Sequence, residues 1–147
     1  MEDIQQFSAE DKIFESKELD KLFTSLAKAQ LEMDSATASN INPFLKSKYA
    51  NLNDVVNASR KALASNGLSV IQRIVRTGSA GMTLLTRLCH SSGQWIESSM
   101  TVNPQKQDIQ SLGSYLTYIR RYTYSSIVGV VVGEKDDDGE KAMGRAS

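Results

Sequence analysis

The chain has 147 residues, of which 40% are hydrophobic and 23% charged, with two Pro and nine Gly, a composition typical of one globular domain. No run approaches the roughly 20 consecutive apolar residues that a membrane-spanning helix needs, and the first residues lack the basic start of a signal peptide. A single Cys89 beside a single His90 excludes an internal disulfide and the common Cys/His zinc sites. These features predict a soluble, intracellular, cytoplasmic protein without a structural metal.

The charges balance overall, with 17 basic and 17 acidic residues, but they are distributed unevenly. Residues 1–39 carry a net charge of −5 and residues 134–147 a net charge of −2. Residues 40–133 hold ten bases and three acids, a net charge of +7. A basic domain between acidic ends favours a polyanionic partner, although a solvated surface of mixed charge accounts for the same pattern.

Residues 1–15 show no clear period and are an N-terminal segment of uncertain order. Apolar residues then recur at helical spacing and predict a first helix over about 16–34. Its apolar positions include Leu19, Leu22, Phe23, Leu26 and Ala27. Small polar residues at 34–42 predict a loop, because such residues favour turns and irregular backbone.

A short element follows at 43–50, in which lysines alternate with other residues between two aromatic side chains, Phe44 and Tyr49. Lys46 and Lys48 share one side of any extended segment, because side chains alternate along a strand. This element combines cations with aromatic rings.

A second helix is predicted from Asn51 or Asn53, either of which can cap its first turn, to about Asn66. Gly67 is suited to end it, because glycine adopts the left-handed conformation without steric cost. Its predicted buried stripe is Leu52, Val55, Val56, Ser59, Ala62 and Leu63.

Three strands are predicted next, over Leu68 to Thr77, Met82 to His90 and Gln94 to Val102. The turns between them are short and contain glycine, as in an antiparallel meander. The mixed alternation along the strands predicts that both faces of the sheet are at least partly covered.

The last helix is predicted from about Asp108 to Val128, followed by a short strand over Val128 to Val132. Its apolar stripe is Ile109, Leu112, Leu116, Ile119 and Thr123. Tyr115 and Tyr122 are expected to pack beside this stripe, with their hydroxyls at the surface.

Together these elements predict an α+β fold, in which a three-stranded antiparallel β-meander is followed by a long helix and preceded by two helices. The core domain is predicted over 16–133. The acidic tail at 134–147 has the composition of a disordered segment.

The sequence contains no convincing catalytic set. His90 has no carboxylate partner at local spacing, and the side chain of Cys89 points to the opposite face of the strand. The chain also lacks the phosphate-binding G-x-x-x-x-G-K-[ST] motif. Asp136 to Asp138 could hold Mg²⁺ as nuclease carboxylates do, but consecutive aspartates in a polar tail more often form a solvated run. We therefore expect neither an enzyme nor a cofactor or metal site.

Single-stranded nucleic acid is bound by cationic grooves together with aromatic side chains that stack on bases, and the basic middle of the chain supplies both. An ion pair is the structural alternative for Arg120 and Arg121, but residues 40–133 offer few acids to form one. The candidate DNA-binding residues are Lys46, Lys48, Tyr49, Arg60, Arg73, Arg76, Arg87, Tyr118, Arg120 and Arg121.

Four stretches, together with the aspartates after the last helix, resemble the phage Erf (essential recombination function) family of single-strand annealing proteins. The stretches are 42–52 (NPFLKSKYANL), 63–72 (LASNGLSVIQ), 85–98 (LTRLCHSSGQWIES) and 110–122 (QSLGSYLTYIRRY). Each is a weak signal alone, but four in order, over about 17–139, are fairly specific. One departure is Leu45, where the family often has an aromatic residue.

The resemblance implies a β-β-β-α core similar to the eukaryotic annealing recombinases. It also implies a homo-oligomer, a ring or a helical filament, that binds single-stranded DNA without nucleotide hydrolysis in the cytoplasm of a bacterial host. The positions that match the family's motifs are Lys46, Lys48, Tyr49, Arg120, Arg121 and Tyr122.

The expected function is ATP-independent annealing of complementary DNA strands in phage-type homologous recombination. The phosphates would lie in a groove between the sheet and the last helix. One alternative is an interaction scaffold that binds an acidic partner, such as a host single-strand-binding protein, with little direct annealing. A weaker alternative is a Mg²⁺-dependent nuclease that uses Asp136 to Asp138.

Overall fold

The computed structural model describes residues 14–36, 50–77 and 81–130. The three predicted helices and the three predicted strands of the meander are present in the predicted order, which confirms the α+β fold. They are α1 (Asp20–Glu32), α2 (Leu52–Ser65), β1 (Leu68–Thr77), β2 (Gly81–His90), β3 (Trp95–Val102) and α3 (Ile109–Val128). Among the described residues, no helix is both long and apolar enough to cross a membrane.

The ends of α2 follow from its sequence. The Asn51 side chain accepts a hydrogen bond from the Asp54 backbone N–H at 2.9 Å, and the Asp54 carboxylate accepts one from the Asn51 N–H at 2.9 Å. This reciprocal capping box satisfies two donors that a helix start leaves unpaired. At the other end Gly67 has a φ of 70°, and a Cβ there would lie 2.8 Å from the Ser91 Oγ. The chain therefore passes directly from α2 into β1, as the sequence predicts.

The three strands form an antiparallel sheet in the order β1-β2-β3. Because side chains alternate along each strand, one face carries Leu84 and Leu88 and the other carries Leu85 and Arg87. We call the first the inner face and the second the outer face. Leu88 belongs to a core cluster with residues of all three helices. Among the described residues, the helices thus pack on the inner face.

Two apolar clusters form the core. The larger joins α1, α2 and the C-terminal half of α3 to the sheet, and its members include Leu22, Leu26, Val55, Leu63, Leu68, Leu88, Tyr124 and Val128. The smaller consists of Leu84, Val102 and Ile119, with Tyr115 and Leu116 packed against it. The predicted half-buried position of Tyr115 is confirmed, and its hydroxyl accepts a hydrogen bond from the Asn103 N–H at 3.0 Å.

The first helix begins four residues later than predicted. The Ser16 N–H donates to the Trp95 carbonyl at 2.8 Å, and the Ser16 Oγ accepts from the Trp95 N–H at 2.9 Å. Glu15 also forms a β-bridge with Ile96. Pairing with the edge of β3 therefore holds this stretch extended, and α1 begins only at Asp20.

A buried glutamine joins the start of α1 to the sheet. The Gln94 side chain accepts from the Leu22 N–H at 2.8 Å and donates to the Asp20 carboxylate at 2.8 Å. This donated bond is the main reason why the pKa of Asp20 lies below its usual value. Gln94 precedes β3 instead of starting it, and its backbone carbonyl accepts a hydrogen bond from the His90 N–H at 2.8 Å across the turn.

Some predicted core positions are exposed. Phe23 is 47% exposed, Ile109 89% and Tyr122 54%. The expected packing of Tyr122 is therefore wrong, since α3 turns this residue away from the sheet. The predicted strand from Val128 is also wrong at its start, because Val128 is still helical and Gly129 (φ 77°) ends α3. Residues 131–132 lie outside the described residues, as do 1–13 and the acidic tail.

The contact between α2 and α3 includes a buried hydrogen bond of 2.7 Å between the Ser59 Oγ and the Tyr124 hydroxyl. We expect Tyr124→Phe to cost about 1 kcal/mol of stability at neutral pH, the typical net value of one such bond. Ser59 itself remains bonded to the Val55 carbonyl at 3.1 Å. Urea unfolding followed by circular dichroism measures the change.

Burial raises the pKa of Tyr124 above its usual value of roughly 10. The unfolded chain therefore ionises this phenol first, and stability is lost as the pH rises above roughly 10. The Tyr124→Phe variant lacks this contribution, so its stability should approach that of the parent at alkaline pH. A difference between the two proteins that does not change with pH would contradict the assignment.

Candidate nucleic-acid interface

A groove lies between α2, α3 and the edge strand β1. It consists of two adjoining depressions, of about 320 Å³ and about 470 Å³. Both depressions are lined by Val56, Arg60 and Arg120. The first continues along β1 past Leu68, Ser69, Val70 and Gln72, and the second along the start of α2 past Asn51, Leu52 and Asn53 and across to Thr117. We call the two together the α2–α3 groove.

The sheet fixes the position of Arg120 in this groove. The Gln72 side-chain amide, on β1, donates to the Arg120 carbonyl at 3.1 Å and to the Thr123 Oγ1 at 3.0 Å. It also contacts the Thr86 Oγ1 at 3.1 Å on the central strand. The backbone of α3 is thus held against β1 at the residue whose guanidinium lines the groove.

The α2–α3 groove is electropositive. Arg60 and Arg120 are both exposed, and neither forms an ion pair with any residue in the described ranges. The lining residues include amides and hydroxyls but no carboxylate. A surface with two cations, neutral polar groups and no acid can bind phosphate oxygens by charge-assisted hydrogen bonds.

The solvent-facing side of α3 carries an exposed pair of tyrosines. The rings of Tyr118 and Tyr122 have centroids 4.6 Å apart, and the two residues are 51% and 54% exposed. The Arg121 guanidinium lies 5.6 Å from each ring centroid and donates to the Ala50 carbonyl at 3.1 Å. The hydrogen bond with Tyr122 is the main reason why the pKa of Tyr118 lies above its usual value.

The α2–α3 groove and the tyrosine pair lie on opposite sides of α3. With 3.6 residues per turn, Arg120 and Tyr118 point about 160° apart around the helix axis. Arg120 and Arg121 also differ in their contacts, because one lines the groove and the other reaches the chain just before α2. The sequence grouped these residues together, whereas the structure separates them into two surfaces.

The outer face of the sheet carries two more of the predicted arginines, Arg73 and Arg87. The Arg87 guanidinium forms an ion pair of 2.6 Å with Glu97 and lies 3.8 Å from the Trp95 ring centroid. Arg76 pairs with Met82 at the far end of β1, in register with the inner face. These arginines are therefore not part of the groove.

Three of the predicted DNA contacts, Lys46, Lys48 and Tyr49, lie outside the described residues. The polar groove residues Asn53, Gln72 and Thr117 were not among the candidate DNA-binding residues. Thr117 could have been found, since it lies three residues before Arg120 and hence on the same side of a helix. Gln72 gave no such signal, because its contacts to α3 depend on the tertiary packing.

His90 joins α1 to the end of β2. Its Nε2 lies 2.9 Å from the Ser25 Oγ, and its Nδ1 accepts a hydrogen bond from the Ser92 backbone N–H at 3.1 Å. These contacts tie the ring to two neighbouring segments, as in a structural histidine. Within the described residues, no group of three or more His, Cys, Asp and Glu side chains could hold a metal ion.

The model of the ERF superfamily matches residues 22–147 of the chain. This match runs from α1 through the sheet and α3 and includes every residue that lines the α2–α3 groove. No curated protein and no solved structure matches the chain. The chain therefore belongs to the ERF superfamily, and this membership supports a general role in phage-type recombination by single-strand annealing.

Proposed function

We propose that the protein binds single-stranded DNA in the α2–α3 groove and anneals complementary strands without hydrolysing a nucleotide. The observation that carries this proposal is the pair Arg60 and Arg120, which line both depressions of the groove, where the described lining residues include no carboxylate. Phosphates provide most of the affinity for single strands, because cations that neutralise them release condensed counterions. Membership of the ERF superfamily supports the same role.

The mechanism is positioning and charge neutralisation. Two complementary strands repel each other through their phosphates, and this repulsion slows their approach. A strand whose phosphates contact Arg60 and Arg120 carries less charge and leaves its bases available for pairing. Arrangement of several copies in a ring or a helical filament would extend these contacts along the strand, which is why we propose a homo-oligomer.

The other predicted contacts extend this interface. Lys46, Lys48 and Tyr49 precede Ala50 in the chain, and Arg121 binds the Ala50 carbonyl beside α3. We therefore keep these residues as proposed contacts. The exposed ring of Tyr118 is suited to stack on a base, a contact that tolerates any sequence because every base has a π face.

A fluorescence annealing assay with two complementary oligonucleotides, one carrying a dye and the other a quencher, tests the proposal. We expect the protein to accelerate quenching without added nucleotide, in proportion to its concentration. A scaffold that only recruits an acidic partner, such as a host single-strand-binding protein, would bind that partner and leave the pairing rate unchanged.

Two further measurements address assembly and the nuclease alternative. Electron micrographs with and without single-stranded DNA should show rings or filaments, whereas separate monomers under both conditions would contradict the oligomer. Labelled single strands incubated with the protein and Mg²⁺ should remain intact. Their cleavage would favour the nuclease that uses Asp136 to Asp138.

A further inference from the structure

A second depression, of about 400 Å³, lies on the outer face of the sheet. It is lined by Ile71, Arg73, Leu85 and Arg87. The pairing register puts Ile71 opposite Arg87 and Arg73 opposite Leu85, so apolar and cationic side chains alternate around it. The α2–α3 groove opens beside the helices, which in the described part of the chain lie on the inner face. Apart from Ser69, the β1 residues that line the groove belong to the inner face, so the two sites lie largely on opposite sides of the sheet.

The apolar part of this depression is partly accessible. Ile71 is 52% exposed, although it lies within a regular strand, and Leu85 beside it on the central strand is only 8% exposed. The exposed side chain of Ile71 lies beside the buried side chain of Leu85, and we call this pair the aliphatic step. One further apolar side chain can pack against it. A single exposed aliphatic side chain is common on protein surfaces, so the apolar part of this site accommodates one side chain and gains its specificity from the arginines beside it.

The cationic part is preorganised. The Glu97 Oε2 accepts hydrogen bonds from the Arg87 Nε at 2.8 Å and Nη2 at 2.6 Å, and the guanidinium lies over the Trp95 ring. Arg73 is exposed and forms no ion pair within the described ranges. Since Glu97 balances the charge of Arg87, the site offers a fixed guanidinium and one unbalanced positive charge at Arg73.

This chemistry fits a peptide better than a nucleic acid. The Glu97 carboxylate pairs with Arg87 and so neutralises one of the two cations that line the depression, whereas Arg60 and Arg120 in the α2–α3 groove form no ion pair within the described ranges. An aliphatic step also offers nothing to a sugar-phosphate backbone. The chain's own acidic stretch over 134–140 consists of charged residues and one glycine, so it has no apolar side chain for this step.

We propose that the outer face of the sheet binds an acidic segment of a partner protein that carries one large apolar side chain. The apolar side chain lies between Ile71 and Leu85, and a neighbouring carboxylate pairs with Arg73. This inference goes beyond strand annealing, and binding of the segment needs no DNA. Because the two sites are on opposite faces, the protein can hold the partner and a DNA strand together.

The chain contains a single tryptophan, Trp95, and it lies under Arg87 at this site, so its fluorescence reports on binding there. The probe is a synthetic peptide of aspartates and small residues with one phenylalanine, titrated into the full-length protein. We expect a saturable change in emission. Replacement of the peptide's phenylalanine by alanine should weaken binding.

Arg73→Glu should weaken binding of the peptide about tenfold, because it replaces an attraction by a repulsion. Arg76→Glu is the matched control. It makes the same charge change on the same strand, but its register is that of the inner face. Both residues are exposed, so neither substitution disturbs packing, and circular dichroism verifies the fold of each variant.

Four results would overturn the proposal. They are no saturable change in Trp95 emission, equal binding of the peptide without phenylalanine, equal weakening by Arg73→Glu and Arg76→Glu, and displacement of the peptide by single-stranded DNA. The last would indicate a nucleic-acid site instead. Because the peptide titration contains no DNA, its failure is distinguishable from a failure to anneal.

Discussion

Replacement of Arg60 and Arg120 together by alanine is expected to weaken binding of single-stranded DNA about 25-fold at 0.1 M salt. Each cation that neutralises a phosphate of a single strand contributes about 0.7 to the slope of log affinity against log salt. Over the tenfold range from about 1 M to 0.1 M salt, this slope corresponds to a gain in affinity of about fivefold. The loss of two such contacts gives the product of two fivefold factors. The salt slope should fall by about 1.4 at the same time.

Fluorescence anisotropy of a labelled oligonucleotide at several salt concentrations measures both quantities. The matched control is the double variant Lys28→Ala and Lys61→Ala, which removes the same number of charges. Lys61 is the neighbour of Arg60 on α2, yet it lines neither depression. Equal losses in the two double variants would show that net charge, and not the α2–α3 groove, determines affinity.

Leu88→Ala should destabilise the protein by about 2–5 kcal/mol, the usual cost of a cavity in a well-packed core. Leu88 is fully buried on the central strand and belongs to the cluster that joins all three helices to the sheet. Since small domains have a total stability of only about 5–15 kcal/mol, this single change removes a large fraction of it. Urea unfolding with a common m value measures the loss.

Leu31→Ala is the control for this prediction. The chemical change is the same, but Leu31 is 90% exposed on α1, so the change in stability should stay within about 0.5 kcal/mol. Comparable destabilisation by the two substitutions would mean that Leu31 is buried in solution, for example in an oligomer.

The order and type of the elements could be predicted because the local signals agree with the tertiary structure. Asn51, one of the two predicted caps, begins α2, and Gly67 ends that helix where the left-handed conformation is needed. The bounds of β1 follow in the same way from glycine-containing turns and alternating side chains. Capping and turn geometry depend on a few neighbouring residues, so one sequence suffices to locate them.

The predictions were wrong where contacts with residues distant in the chain determine the conformation or the burial of a segment. Pairing with Trp95 holds Ser16 extended and delays α1, and no periodicity in 16–34 reveals this partner. Exposure of Ile109 and Tyr122 depends on where α3 lies relative to the sheet. A helical pattern alone indicates an apolar stripe, but it does not indicate how far along the helix the stripe is covered.

The sequence by itself determined the α+β fold, the concentration of positive charge in 40–133 and the resemblance to an annealing family. These features depend on composition and short motifs, which can be recognised without the tertiary structure. Only the tertiary structure decided which cations lie together. Arg60 and Arg120 are far apart in the chain but line one groove, whereas the adjacent Arg120 and Arg121 lie on different sides of α3. The physical reason is that successive residues on a helix point about 100° apart, and only the packing of α2 and β1 against α3 selects which direction faces the groove.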